Sequence, residues 1–456
     1  MSEQDRVARL PRLKRLALWA VSFFILLVAS AIAIRAHTKR AMERELQAIR
    51  ERGFPTSPQE VNAWYASVPP DENSALVILK AHDLYGEAGA NDPKNLSQGL
   101  VLGETLPPKL AGAIASLVER NGKALAELHR ASQLPKSRYP VDLTPGLASL
   151  LPHLTRAKAL AELLRWEAIY HSARGNRTNA VRAIESGFAI ASSLKDEPID
   201  ISALVRISCL SMALSALERV VTEQQLSESE IDRLLVLARS AEEHSLPSLT
   251  RAFLGERGLT LPVFNMTYRE LCASAGITNR SVELREAASM IRSETRRLFR
   301  GHRRDPFIYL SHMGEVEAAL EMDVAEMVRE AERIDSAESS TILLCFSEDD
   351  FFESVLPKFS RVTTQTALLI AQLRCISLAL EIERIRLKNE GQIPKTEELS
   401  NHLPQRPKDP IDNQPITFEI LDKGYQVSAR AATELKKERA GGVIPSFVPI
   451  SFRVLR

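Results

Sequence analysis

Residues 16–34 (LALWAVSFFILLVASAIAI) run between Arg15 and Arg35 without a single charge. As a helix rising about 1.5 Å per residue the run spans about 28 Å, close to the hydrocarbon thickness of a bilayer. It predicts a transmembrane helix. A cleaved signal peptide is the rival reading, because Ala29-Ser30-Ala31 and Ala31-Ile32-Ala33 fit a small-x-small cleavage site. The apolar core of a signal peptide spans about 7–15 residues, whereas this run is longer and continues into a basic helical stretch. An uncleaved signal-anchor is therefore expected.

Basic residues flank the run on both sides: Arg6, Arg9, Arg12, Lys14 and Arg15 before it, and Arg35, Lys39, Arg40, Arg44, Arg50 and Arg52 after it. Glu43, Glu45 and Glu51 dilute only the second group, which favours a cytoplasmic basic tail at 1–15 and an extracytoplasmic body. For a bacterial chain that membrane is the inner one. Helical periodicity continues beyond Arg35 to Arg50, so 35–53 is expected to form a stalk.

The body is 45% hydrophobic but only 5% aromatic, which favours close-packed helices over a sandwich or barrel. Lys and Arg number 59 against 58 Asp and Glu, so the molecule has no net field for a nucleic acid. Cys209, Cys272, Cys345 and Cys375 are far apart in apolar settings, which predicts buried free thiols. Disulfides remain open outside the cytoplasm.

Ser57-Pro58-Gln59-Glu60 marks a helix start, with a capping Ser, Pro at the first position and an acid in the first turn. Trp64 and Tyr65 follow, Val68-Pro69-Pro70-Asp71-Glu72-Asn73 breaks the helix, and 74–82 restarts it. Residues 85–108 read as a long loop. Apolar residues recur at helical spacing over 110–128 and 156–221, with a turn at Gly175-Asn176. The helix pair there is similar in spacing to a single tetratricopeptide unit, but no 34-residue period accompanies it. The apolar stretch 201–221 is long enough for a second span, yet Arg206, Glu218 and Arg219 argue for burial in protein. Ser227-Glu228-Ser229-Glu230 is a capping box. Further helices are expected over 247–257, 278–299, 311–336 and 363–389.

After Gly391, Ile416, Phe418 and Ile420 alternate with polar residues. A turn at Asp422-Lys423-Gly424 leads to Tyr425 and Val427, and Ile450, Phe452 and Val454 alternate again. Three antiparallel strands are expected, covered by a helix carrying Leu369, Leu373, Ile376 and Leu380. The predicted fold class is mainly α: a transmembrane helix at 16–34, a multi-helix domain at 54–360, and a helix plus three-stranded antiparallel sheet at 361–456.

That tail, with Gly391-Gln392-Ile393-Pro394 and Pro407-Lys408-Asp409-Pro410-Ile411-Asp412 before a hairpin, resembles the C-terminal part of type II secretion pseudopilins. The resemblance covers about 65 residues and implies a long helix packed on a small sheet. No pseudopilin-like processing context precedes Leu16. The whole layout, including Trp64-Tyr65 and Val68-Pro69-Pro70-Asp71-Glu72-Asn73-Ser74-Ala75, resembles large membrane-anchored proteins of planctomycete-type bacteria. That resemblance implies placement and fold, and assigns no catalytic residue.

Candidate chemistry is sparse. Ser192-x-x-Lys195 matches the Ser–Lys spacing of penicillin-recognising enzymes without their S-D-N and K-T-G partners. No G-x-S-x-G, H-E-x-x-H, Walker A or G-x-G-x-x-G occurs. The histidines are scattered singly, and His171 and His244 read as hydrogen-bonded side chains. Arg292, Arg296, Arg297, Arg300, His302, Arg303 and Arg304 form a basic cluster suited to a solvated face or anionic surface. Glu348, Asp349, Asp350 and Glu353 form an acidic one. Those acids, and Asp409 with Asp412, are weak calcium candidates beside the simpler turn reading. No catalytic, cofactor or metal residue is assigned. The expected partners are the bilayer, through 16–34, and another envelope protein, and the expected role is interaction or structure. An extracytoplasmic enzyme with a site assembled from distant residues and a pseudopilin-like component are the alternatives.

Overall fold

Capping chemistry places the first helices where the sequence puts them. The computed structural model describes residues 39–86, 92–96, 100–265, 306–346, 358–403, 405–439 and 450–455, with part of 19–37. The chain divides into two units, residues 1–56 and 57–456. In the first, residues 39–51 are helical, and Gly53 turns the chain at φ 83°.

The second unit opens at Ser57, which caps α1 (Pro58–Trp64) by accepting from the Glu60 N–H at 3.3 Å. Asn73 caps α2 (Ser74–Asp83) through the Ala75 N–H at 3.1 Å. The segment expected to be a loop over 85–108 holds one helical turn, α3 (Pro93–Leu96). Helices α4 (Pro108–Arg120) and α5 (Gly122–Ala131) divide the run predicted over 110–128. The buried Asn121 sits at their junction. It donates to the carbonyls of Leu117 and Gly86 at 2.9 and 3.0 Å and accepts from the Gly86 N–H at 2.7 Å.

Helices α6 (Pro152–Ala173) and α7 (Arg177–Ser192) form the predicted antiparallel pair about Gly175, whose φ is 73°. Helix α8 (Asp200–Glu223) packs against both. The Ser227–Glu230 capping box opens α9 (Glu228–Glu243), and α10 (Ser245–Thr260) follows. The expected helix over 311–336 is two helices, α11 (Pro306–Leu320) and α12 (Val324–Phe346). The break comes at 321–323, where the Asp323 carboxylate accepts from the Glu326 N–H at 2.9 Å and starts a new helix. The expected helix over 278–299 lies outside the described residues.

The long α13 (Phe359–Lys388) leads through α14 (Thr396–His402) to the small sheet, β1 (Thr417–Leu421), β2 (Gly424–Ser428) and β3 (Ser451–Val454). The strands are antiparallel in the order β1-β2-β3, with Phe418 opposite Val427 and Val427 opposite Phe452. A helix absent from the sequence reading, α15 (Arg430–Arg439), separates β2 from β3. Helix α13 covers β2 and β3, with Tyr425, Val427, Phe452 and Val454 buried. Strand β1 has no buried residue, unlike the other edge strand β3: Phe418 is half-buried and Ile420 is 51% exposed, while Ile416 just before the strand is buried.

The division expected at 360/361 does not correspond to a break in packing. Residues from α2 to α9 and from α13 to β3 share one apolar cluster. Helices α8 and α13 are both long and apolar enough to cross a membrane, yet 56% and 78% of their apolar windows are buried inside the protein. The charges on α8 explain the choice. Arg219 donates to the Val101 and Glu104 carbonyls at 3.0 and 2.7 Å and pairs with Glu223 at 2.6 Å. Arg206 donates to the Ala241 carbonyl at 3.1 Å, and burial pulls its guanidinium down to about 10. Glu218 accepts from the Arg453 N–H at 2.7 Å, tying β3 to α8. Arg206 and Arg219 are buried and Glu218 is half-buried, and each meets a remote backbone group.

Gly255 shows how tightly these parts close. A Cβ there would come within 2.1 Å of the Pro198 carbonyl oxygen. Gly255→Ala is expected to cost about 1–3 kcal/mol by overpacking, read as a lower urea midpoint; an unchanged midpoint would contradict this packing.

Candidate functional site

The segment Trp64–Ser74 grips two neighbouring stretches of chain. Arg251 of α10 stands over the Trp64 ring at 4.2 Å and donates to the Trp64 carbonyl at 2.9 Å. Arg138 stands over the Tyr65 ring at 4.3 Å and donates to the Tyr65 carbonyl. Asn73 donates to the Arg138 carbonyl at 2.8 Å and accepts from its N–H at 3.0 Å, while the Ser74 N–H and hydroxyl both donate to the Lys136 carbonyl. The motif thus reads as a clamp on residues 136–139.

That clamp delivers Tyr139 to a buried polar centre. The Tyr139 N–H donates to the Tyr65 hydroxyl at 3.0 Å, its own hydroxyl lies 2.8 Å from Ser193 Oγ, and its ring stacks on His153 at 4.4 Å. His153 Nε2 lies 2.9 Å from both oxygens of Glu197. Burial, with the Glu197 charge adding to it, pushes both tyrosine hydroxyls well above their ordinary range. The nearby Cys209 thiol is pushed up to about 12 by burial. These groups stay protonated and are not set up as nucleophiles; the Tyr65 hydroxyl accepts from the Tyr139 N–H, and the Tyr139 hydroxyl pairs with Ser193.

A second centre joins α5, α6 and α7. His129 Nδ1 lies 2.8 Å from Ser186 Oγ, and Nε2 lies 3.1 Å from Glu167 Oε1. His171 Nε2 approaches the same carboxylate oxygen at 3.8 Å; desolvation lowers its pKa, opposed by Glu167. The order hydroxyl, imidazole, carboxylate is that of a hydrolytic triad. The surroundings are not those of one. Ser186 is buried in the middle of α7, where the local N–H groups serve the helix itself and cannot form an oxyanion hole. The arrangement is a three-helix tie.

Other candidates fall into place around these centres. Ser192 is exposed at the end of α7, and its buried neighbour Ser193 carries the contact to Tyr139. His244 Nδ1 lies 2.7 Å from the Ser240 carbonyl oxygen. Cys209 and Cys375 are buried free thiols; Cys272 lies outside the described residues. Asp409 uses both carboxylate oxygens on backbone, accepting from Ile411 and Ala432 at 3.0 and 3.1 Å, and Asp412 accepts from Gln414 at 2.9 Å. In the turn reading given to these acids, Asp409 and Asp412 hold the turn, and Asp409 also holds the start of α15. The basic cluster at 292–304 and the acidic one at 348–353 lie outside the described residues. Among the described residues, no group of three or more His, Cys, Asp or Glu is placed to hold a metal ion.

No family model, curated protein or solved structure matches the chain.

The His129–Glu167 pair gives a direct test. His129→Leu leaves a buried carboxylate with its best partner gone, and is expected to cost about 3–5 kcal/mol in chemical unfolding. The double variant His129→Leu/Glu167→Leu should recover most of that loss. A double variant no more stable than the single one would contradict the tie.

Proposed function

We propose that this protein is a single-pass, membrane-anchored helical protein of the bacterial inner membrane. Residues 16–34 form the span and residues 1–15 a cytoplasmic tail. The body lies outside the cytoplasm and serves as an envelope-associated interaction or structural element. One observation carries the reading. Among the described positions between 19 and 33, all are helical and exposed, and they include Trp19 (76%), Phe23 (68%), Ile25 (61%) and Leu26 (67%). Withdrawing one such side chain from water is worth about 1.5–3 kcal/mol, so a helix presenting several of them calls for an apolar surrounding medium.

The body supports the second half of the proposal. Its polar centres are spent on holding helices together, as the Trp64–Ser74 clamp and the His129 tie are. A rigid body on a tether suits binding another envelope protein. The bilayer and such a protein are the proposed partners.

Alkaline carbonate washing should leave the full chain in the membrane pellet, and removal of residues 1–34 should release it to the supernatant; release of the full chain would defeat the anchor. Protease added to intact spheroplasts should digest the body, and protection would reverse the proposed orientation.

A further inference from the structure

A guanidinium buried in protein calls for an anion, and among the described residues Arg206, Arg219, Arg257 and Arg386 are buried. Three of them have a carboxylate. Arg219 pairs with Glu223 at 2.6 Å, Arg257 with Glu317 of α11 at 3.1 Å and Arg386 with Glu383 at 2.9 Å. Arg206, 4% exposed, has none within ion-pair distance among the described residues, and its side chain makes one hydrogen bond, from Nη2 to the Ala241 carbonyl at 3.1 Å. Asp196, exposed in the turn before α8, acts on it only from further away. Burial draws the guanidinium down to about 10, so it keeps its charge at neutral pH.

A second donor lies beside this charge. Ser202 stands one turn before Arg206 on α8, and residues four apart share one face of a helix. A long helical side chain leans back over the preceding turn, which carries Arg206 Nε toward Ser202. Both Arg206 Nε and Ser202 Oγ are buried without a hydrogen-bond partner. The joint between α9 and α10 closes the other side. There Ser245 Oγ donates to the same Ala241 carbonyl at 2.7 Å, so the acceptor on that side already serves two donors.

We propose that Arg206 and Ser202 hold a halide ion, chloride in ordinary solution, between α8 and the joint of α9 with α10. The Nε–Nη2 edge, on which a guanidinium grips a carboxylate or phosphate through two parallel bonds, is already engaged at Nη2. A single-atom anion that accepts from Nε–H and Oγ–H therefore fits better than an oxyanion. The ion supplies the negative charge that the chain itself provides to the other three buried arginines. Because only the folded chain builds the site, its stability should follow halide concentration by mass action.

Urea unfolding of the full chain in detergent tests this, with millimolar chloride, bromide or sulfate in a constant gluconate background. In the unmodified protein the midpoint should rise with chloride and with bromide and should not move with sulfate. Arg206→Met fills the space without a charge to neutralise, and should unfold at one midpoint in all three salts. Ser202→Ala keeps the charge but loses a donor, so half of the rise should need at least about tenfold more chloride, the effect of one hydrogen bond to a charged group. That variant carries the test if the first does not fold. A midpoint indifferent to halide in the unmodified protein would overturn the proposal and leave Asp196 as the counter-charge. A response to sulfate as large as that to chloride would overturn it too, as would a halide response that either variant leaves unchanged.

Discussion

A charge buried in an apolar helix has to be met, and on α8 the groups that meet it come from far along the chain. The buried Arg219 takes carbonyls from residues 101 and 104, the buried Arg206 takes one from residue 241, and the half-buried Glu218 takes an amide from residue 453. An unpaired buried charge costs several kcal/mol, so these contacts dictate which segments can lie beside α8. The loop before α4, the end of α9 and the last strand are positioned by this requirement. Apolar area alone would allow many arrangements of so many Leu- and Ala-rich helices; the paired charges select among them.

Helix α13 plays the complementary part. It is buried along most of its length and carries α9 and α12 as well as β2, β3 and α15. It also carries a polar tie to the sheet: Glu383 accepts from the Tyr425 hydroxyl at 3.1 Å and from Arg386 at 3.0 Å, and that hydroxyl also reaches the Ala379 carbonyl. The sheet is therefore pinned to the helical core by hydrogen bonds as well as by packing, and the C-terminal segment belongs to the same body as α2 to α9.

Much of this was legible in the residues. Ser57, Gly175 and the Ser227–Glu230 box announced their helix boundaries because capping and left-handed turns are local chemistry. The hairpin was legible because its turn and alternation are local too. The break at Asp323 was missed because the apolar period runs through it, and α15 because its charged sequence carries no apolar stripe. The polar centres could not be read at all. Ser186, His129 and Glu167 come from three helices, and Tyr139, His153 and Glu197 from three separate stretches, with no spacing that singles them out. The motif Trp64-Tyr65 through Ser74 was visible as a pattern, but its role as a clamp emerges only with Arg138 and Arg251 beside it.

The central claim is that α8 and α13 belong to one cooperative core, and two buried thiols report on it. Cys209 sits on α8 and Cys375 on α13, both shielded in the folded state. Their alkylation can be followed peptide by peptide as urea rises. A single core predicts that both thiols become reactive at the same urea midpoint. Reaction of Cys375 at a clearly lower midpoint than Cys209 would mean that the C-terminal segment unfolds by itself, and would contradict the account.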